Sequence, residues 1–227
     1  MGNSAFQPKA PLILWGRATS VNVQKVMWAL AECSVSYDRR EAGGRHGVVD
    51  SDAYASLNPN RRIPTLVHGD LVLWESAAIV RHLGRCFGEP LLVSGSAEQR
   101  LRAQAVADQW MDWASTTWMP AFSAVFWQKV RLPREQRDAR VLATQSVALE
   151  AAAKLLNSHL SAQAWLGGDR FSMADIPVGA TMYRYFSIDI ERPALPAVQA
   201  WVERLQDRPG YREYVETSYD ELRAPDR

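Results

Sequence analysis

The chain has 227 residues, of which 47% are apolar and 22% charged, and its formal net charge at pH 7 is +1. This balance allows a well-filled core but indicates no clustered basic surface for nucleic acid or anionic membranes. No apolar run approaches the roughly 20 residues that span a bilayer, and the polar start lacks the apolar core of a signal peptide. We therefore expect a cytoplasmic protein that binds neither nucleic acid nor membrane.

The first elements predicted along the chain form a small α/β layer. Residues 12–15 are a short apolar strand, and the spacing of Val23, Val26 and Leu30 predicts a helix after it. A second strand is predicted at 35–39 and a glycine-rich loop at 42–51. A hairpin with strands at 65–67 and 71–74, followed by a helix over 76–87, completes a βαβ-ββα unit.

The rest of the chain is predicted to be helical. Helices are expected at 98–126, 134–163, 172–188 and 196–207, with a short one from Pro209. Ser172 is expected to cap a helix that begins at Met173, with Asp175 as the acid of a capping box. The predicted division is a flexible segment at 1–11, an α/β domain at 12–87, a linker at 88–97 and an all-helical domain at 98–227.

The cysteines and histidines give no metal-binding signature in the sequence. Cys33 and Cys86 stand far apart, with neither a Cys-x-x-Cys motif nor a Cys/His ligand spacing, so neither a disulfide framework nor a structural zinc site is predicted. The four histidines lack the spacing of a metal-binding pair on one helix face. We expect a reducing compartment and no metal.

The hairpin and the start of its helix carry the strongest chemical signal. Ile63-Pro64 is a candidate for a cis peptide bond, which would turn the amide N–H and carbonyl of Ile63 toward an extended ligand. At the other end, Ser76 stands at a helix start, where unpaired N–H groups and the helix dipole favour a carboxylate. Glu75 beside it can accept an ammonium group. Together they predict a site for a small peptide.

This stretch resembles the glutathione-binding half of the cytosolic glutathione transferases, through the Ile63-Pro64 loop and the Glu75-Ser76 pair. The match runs from about residue 12 to residue 214, and it is most like the bacterial theta-like and nu-like members through the segment Ser-Val-Asn-Val-Gln-Lys-Val at 20–26. The resemblance implies a thioredoxin-like α/β domain followed by an all-α domain. It also implies glutathione as co-substrate, a small electrophile and a homodimer.

In this family the enzyme presents the glutathione thiol as a thiolate. A free thiol has a pKa of about 8.5, and a hydroxyl donor at a helix N-terminus can stabilise the anion. The resemblance to theta-like members assigns the catalytic serine to Ser20, and Asn22 matches an asparagine that nu-like members use near the sulfur. Thr19 is the alternative hydroxyl, and Ser20 could instead be only a helix N-cap.

Other site residues are assigned less directly. Arg62 stands where some relatives place a basic residue on the glycine carboxylate of glutathione. The electrophile pocket is expected between the domains, with Asp112, Thr116 and Met119 on an i, i+4, i+7 row and Tyr183 as a further pocket residue.

Three functions follow from these features. The first is conjugation of glutathione to small electrophiles by thiolate attack, with halide displacement as a variant that theta-like relatives carry out. The second is a glutathione-dependent disulfide reductase or peroxidase of nu-like type. The third is a binding protein of this fold without turnover. Cys33 and Cys86 are expected to be core residues, so a mechanism based on an enzyme cysteine is not expected.

Overall fold

The structure, a computed structural model, describes residues 11–88 and 91–225. The flexible segment predicted at 1–11 therefore lies almost entirely outside the described residues. Within them, the predicted fold class is confirmed: an α/β layer of thioredoxin type is followed by helices. The positions of the domain boundaries remain a prediction.

The N-terminal layer is built on a four-stranded sheet of order β2-β1-β3-β4. Its strands are β1 (Leu12–Trp15), β2 (Tyr37–Arg40), β3 (Thr65–His68) and β4 (Leu71–Trp74). The β1–β2 pair is parallel, whereas β3 runs antiparallel to both β1 and β4. The β1–helix–β2 crossover and the β3–β4 hairpin are thus both as predicted.

Three helices accompany this sheet. The helices α1 (Val21–Glu32) and α3 (Ser76–Phe87) match the prediction. The six-residue α2 (Asp52–Leu57) was not predicted. It begins after Ser51, whose hydroxyl accepts a hydrogen bond from the amide of Tyr54 at 3.2 Å, which is an ordinary N-cap.

The C-terminal part begins with one long helical rod. A capping box at Ser96 starts α4 (Ala97–Trp113), and a π-helical turn at Ala114–Trp118 leads into α5 (Met119–Phe126). A second π-helical turn, Trp127–Arg131, ends the rod. The rod therefore extends five residues beyond the predicted end at 126.

The remaining helices are α6 (Ala139–Leu160), α7 (Asp175–Ser187), α8 (Pro196–Gln206) and α9 (Pro209–Tyr214). All four fall within the segments that the spacing of apolar residues predicts. In the described parts of the chain, each helix is either too short or too polar to cross a bilayer.

The predicted capping box at Ser172 is only half formed. The helix α7 begins at Asp175, two residues later than expected. The amide of Ser172 donates to the carboxylate of Asp175 at 3.0 Å, whereas the hydroxyl of Ser172 accepts a 3.3 Å bond from Ala174. Asp175 also accepts bonds from the amide of Leu166 and the indole N–H of Trp201, at 2.9 and 3.0 Å. The acid thus ties α7 to α8 as well as capping it.

The two halves of the chain share one core, centred on the fully buried Trp28 of α1. Its ring packs against Phe171 and Tyr211, with ring centroids 5.5 and 5.2 Å away. Its indole N–H donates to Glu32, which also accepts a 2.8 Å bond from Arg208. Because α1 is anchored this firmly to the helical half, its N-terminus is held in a fixed place.

Candidate functional site

The candidate site lies where the N-termini of α1 and α3 meet. The hydroxyl of Ser76, the first residue of α3, donates to the side-chain oxygen of Asn22 in the first turn of α1 at 3.4 Å. Both helix starts carry unpaired N–H groups and the positive end of the helix dipole. Their convergence makes a place suited to an anionic ligand.

The Ile63-Pro64 peptide bond is cis, as predicted. Ile63 lies just before the ladder that pairs β3 with β1, so its amide N–H and carbonyl are not committed to the sheet. Its side chain packs against Gly43, where an added Cβ would lie 2.9 Å from Ile63 Cδ1 and the backbone has φ +79°. Glycine is therefore required at 43 for Ile63 to take its place.

Buried polar groups hold the chain just before Ile63. The carbonyl of Arg62 accepts hydrogen bonds from the hydroxyl of Tyr54 and the side-chain amide of Asn58, both at 2.8 Å. The same two side chains bond the hydroxyl of Thr65, at 2.9 and 3.1 Å. The guanidinium of Arg62 is exposed, and no ion pair is found for it among the described residues. The guanidinium is therefore available to a ligand, but no ion pair among the described residues fixes its orientation.

Glu75 and Ser76 form the other end of the predicted peptide site. Glu75 is exposed and occupies the N-cap position of α3 with φ +68°, a left-handed conformation that is rare for a residue with a side chain. Such strain is concentrated at ligand sites. Ser76 is buried, with 8% of its surface exposed. The pair thus presents one solvent-facing carboxylate beside one buried hydroxyl.

The amide of Asn22 is oriented by a buried lysine. The ammonium of Lys25, one turn further along α1, donates to the side-chain oxygen of Asn22 at 2.9 Å. An ammonium has only donors, and Ser76 donates to the same oxygen. The carbonyl side of the Asn22 amide must therefore face Lys25 and Ser76, which leaves its NH₂ group to point away from them.

Lys25 is an expensive residue to bury. Only 4% of its surface is exposed, and burial lowers the pKa of its ammonium from 10.5 to about 8, while the charge of Glu75 acts in the opposite direction. At neutral pH the lysine is thus still charged, and it adds a positive charge beneath the junction of the two helices. No role is predicted for Lys25 from the sequence.

The two candidate hydroxyls before α1 differ in their surroundings. The hydroxyl of Thr19 donates to the carboxylate of Glu221 and accepts a 3.3 Å bond from Arg17. Ser20 holds the N-cap position of α1, but its side chain makes no capping hydrogen bond. Of these two hydroxyls, only that of Thr19 is hydrogen-bonded to another described residue, so the hydroxyl of Ser20 is the one available to a ligand.

A second buried cation, Arg184, ties the loop that precedes α1 to the helical half of the chain. Arg184 of α7 donates to the carbonyl of Thr19 at 2.8 Å and to the side chain of Gln24 at 3.0 Å. Gln24 in turn donates to Thr217 at 2.9 Å. Sequence reasoning missed Arg184, Thr217 and Glu221 because all of them lie more than 160 residues from the loop. The polar pair Gln24 and Lys25 within an apolar helical stretch was the one signal available.

Three of the predicted electrophile residues lie along the long helical rod and the fourth lies on α7. Asp112 pairs with Arg81 of α3, and Thr116 is exposed, with its hydroxyl bonded to the carbonyl of Asp112 at 2.8 Å. The π-helical turn at Ala114–Trp118 inserts a residue into the helical register, so Met119 packs partly into the core. Tyr183 lies on α7 with its ring edge-on to another tyrosine. Their roles remain predictions.

Comparisons with known proteins show which family this fold belongs to. Residues 10–85 match the family described as glutathione S-transferase, N-terminal domain, and residues 106–209 match its C-terminal domain. The chain is 34% identical to the glutathione S-transferase GstB of Escherichia coli over 206 residues, which cover 90% of this chain and 97% of that protein.

The fold is also shared with solved structures. A theta class glutathione S-transferase from Xanthomonas axonopodis pv. citri, solved with glutathione bound, is 40% identical with a TM-score of 0.85, covering 92% of this chain and 99% of the other. Its apo form gives 37% identity and a TM-score of 0.78 over the same shares. Among relatives found by sequence, bovine glutathione S-transferase theta-1 is 29% identical over 204 residues, which cover 85% of this chain and 81% of that protein.

Proposed function

This chain belongs to the glutathione S-transferase family and is a transferase, and from that premise we propose that it binds glutathione and ionises its thiol for attack on small electrophiles. The γ-glutamyl group lies at Glu75 and Ser76, where an exposed carboxylate faces its ammonium and a helix start faces its carboxylate. The cysteinyl backbone pairs with Ile63, and the glycine carboxylate faces the guanidinium of Arg62.

The observation that carries this proposal is the orientation of Asn22. Its NH₂ group is turned away from Lys25 by the 2.9 Å hydrogen bond that the ammonium donates to its oxygen, a bond that remains when the hydroxyl of Ser76 turns to the ligand. An amide donor, the uncommitted hydroxyl of Ser20 and the start of α1 then all favour a sulfur anion at the same place. Thr19 is not assigned to the sulfur because its hydroxyl hydrogen is used by Glu221.

The test is a pH titration of the thiolate absorbance of bound glutathione. Replacing Ser20 by Ala should raise the pKa of the bound thiol and slow turnover at neutral pH, with partial recovery at higher pH. Replacing Thr19 by Ala, the matched control, should leave that pKa unchanged. A shift with the Thr19 variant and none with the Ser20 variant would transfer the role to Thr19.

A second candidate reaction is favoured by the same amide. A glutathione-dependent disulfide reductase or peroxidase of nu-like type needs an asparagine near the sulfur and no cysteine of its own, which is the arrangement proposed for Asn22. The two reactions separate in a turnover panel of aryl halides, haloacids, organic hydroperoxides and a mixed disulfide. Release of halide from haloacids would identify the halide-displacing variant. Because the chain is a transferase, the third function, a binding protein without turnover, is set aside.

The electrophile and the assembly complete the proposal. The proposed electrophile residues remain Asp112, Thr116, Met119 and Tyr183. Replacing each one by alanine and measuring turnover with the substrate panel above tests them. A homodimer is proposed from the family, and exposed apolar side chains on β4 and α4, including Trp74 and Leu101, are consistent with a covered surface. Sedimentation that finds a monomer at micromolar concentration would contradict it.

A further inference from the structure

A cluster of two imidazoles and one thiol lies at the far end of the hairpin from the glutathione residues. His68 ends β3, and His82 and Cys86 are four residues apart on one face of α3. One ligand atom from each lies within 4.8 Å of the others. All three residues are half-buried, so an ion that reaches them remains accessible from solvent.

The distances within the cluster match a known coordination shape. The Nδ1 atom of His68 lies 3.0 Å from Nε2 of His82, and Sγ of Cys86 lies 3.6 Å from the same Nε2. Tetrahedral zinc, with Zn–N of about 2.1 Å and Zn–S of about 2.3 Å, sets neighbouring nitrogen ligands about 3.4 Å apart and nitrogen and sulfur about 3.6 Å apart. The sulfur also lies 3.7 Å from Nδ1 of His82, which places it over the imidazole ring, so the side chains of His82 and Cys86 must turn for both to point at one ion.

The chemistry of the three donor groups limits which metal ions they can bind. Two imidazoles and a thiolate suit Zn²⁺ and are too soft for Mg²⁺ or Ca²⁺. The two ring nitrogens already face each other closely enough to share one proton, and a metal ion would take the place of that proton. The proximity of Arg85 to His82 opposes a cation, but Arg85 is exposed, and water screens its charge.

We propose that His68, His82 and Cys86 bind one Zn²⁺ ion with water as the fourth ligand, clipping the tip of the β3–β4 hairpin to the C-terminal end of α3. Ten residues of helix separate Cys86 from Ser76, a distance of about 15 Å along α3. The proposed zinc site is thus separate from the glutathione site. Sequence reasoning looked for Cys/His ligand spacing but passed over the i, i+4 pair of His82 and Cys86 on α3, and the third ligand, His68, comes from the hairpin.

The experiment uses reduced, untagged protein stripped with a chelator and kept free of glutathione, whose own thiol binds zinc. Co²⁺ is the probe, because a thiolate ligand gives a sulfur-to-cobalt charge-transfer band and a tetrahedral site gives strong visible bands. We expect both bands at one equivalent of Co²⁺, and their loss when Zn²⁺ is added. Zinc affinity follows by calorimetry.

Two variants and one matched control decide the assignment. Cys86→Ser and His82→Gln should each remove the charge-transfer band or lower zinc affinity at least tenfold. Cys33→Ser is the control, because Cys33 sits beside Glu32 with a thiol pKa raised to about 12 by burial, and it should bind as the parent protein does. Glutathione binding by each variant checks that it is folded. Absence of the bands in the parent, their persistence in Cys86→Ser, or binding of Cu⁺ alone would overturn the zinc site.

Discussion

Replacing Lys25 by Met should separate the stability of this protein from its proposed chemistry. The substitution removes the ammonium that fixes the oxygen of Asn22 and keeps an unbranched side chain of similar length. Without that donor the Asn22 amide can turn over and withdraw its NH₂ group from the sulfur. A donor lost to a thiolate is worth about 1.5–3 kcal/mol, or one to two pKa units. Because turning over is only partial, we expect the pKa of bound glutathione to rise by about one unit.

The same substitution should not destabilise the fold at neutral pH. Burial lowers the pKa of Lys25 from 10.5 to about 8, which corresponds to a cost of about 3 kcal/mol for holding the charged form in the native state. The lost hydrogen bond to Asn22 offsets about 1–3 kcal/mol of that relief. The free energy of unfolding of the Met variant at pH 7 should therefore equal that of the parent or exceed it by up to about 2 kcal/mol.

The pH dependence has a definite sign. Between about pH 8 and 10.5 the unfolded lysine holds more protons than the folded one, so this group makes the parent more stable as pH rises. The advantage of the Met variant should thus be largest at pH 7 and should shrink toward pH 10.5. Urea unfolding of the two proteins across this range measures it.

Lys25→Gln is the matched control, because it removes the charge but retains a donor for Asn22. A pKa rise in Lys25→Met that is much smaller in Lys25→Gln would attribute the effect to orientation. Equal rises in both would attribute it to the positive charge. The reasoning is refuted if Lys25→Met leaves the pKa of bound glutathione unmoved, or if it lowers the free energy of unfolding at pH 7 by more than about 1 kcal/mol.

Two further predictions concern neighbouring parts of the structure. Ser76→Ala should weaken glutathione binding by about 1–2 kcal/mol, since it removes the hydroxyl that would turn from its long 3.4 Å contact with Asn22 to donate to the γ-glutamyl carboxylate. Calorimetry that finds unchanged affinity in the folded variant would contradict the placement of the γ-glutamyl group. Asp175→Ala should lower the free energy of unfolding by about 3 kcal/mol or more in urea, because three buried N–H groups lose their acceptor. The pKa of Asp175 is raised by burial to about 6, above its unfolded value, so its contribution to stability should fall as pH rises from about 4 to 6.

The fold was largely predictable because its elements are periodic and contiguous. The strands β1 and β4 are short apolar runs, the longer helices carry apolar residues at helical spacing, and the turn at His68-Gly69-Asp70 specifies the hairpin. The pattern fails where the period itself changes. The π-helical turn at Ala114–Trp118 shifts the register, and the short α2 buries Tyr54 alone, too little to form a pattern.

The site was predictable only where its parts are local. The cis-Pro loop and the Glu75-Ser76 helix start are read from adjacent residues, and Lys25 was within reach because a lysine inside an apolar helix face needs a partner. The hydrogen bonds that hold the loop before α1 to the helical half could not be predicted in this way. Arg184 and Glu221 reach that loop from the far end of the chain, and no spacing rule relates residues that tertiary packing brings together.

The buried cations explain why this loop depends on distant residues. A thiolate is stabilised by positive charge held close to it in a region from which water is largely excluded. Lys25 lies beneath the N-terminus of α1, and Arg184 lies behind Thr19, with only 4% of its surface exposed. Burial lowers the pKa of Arg184 to about 10, so both groups remain charged at neutral pH. Each would be better solvated at the surface, so the fold gives up stability to hold them there. An anion at the sulfur position would recover part of that loss, which couples glutathione binding to the integrity of the contact between the two halves of the chain.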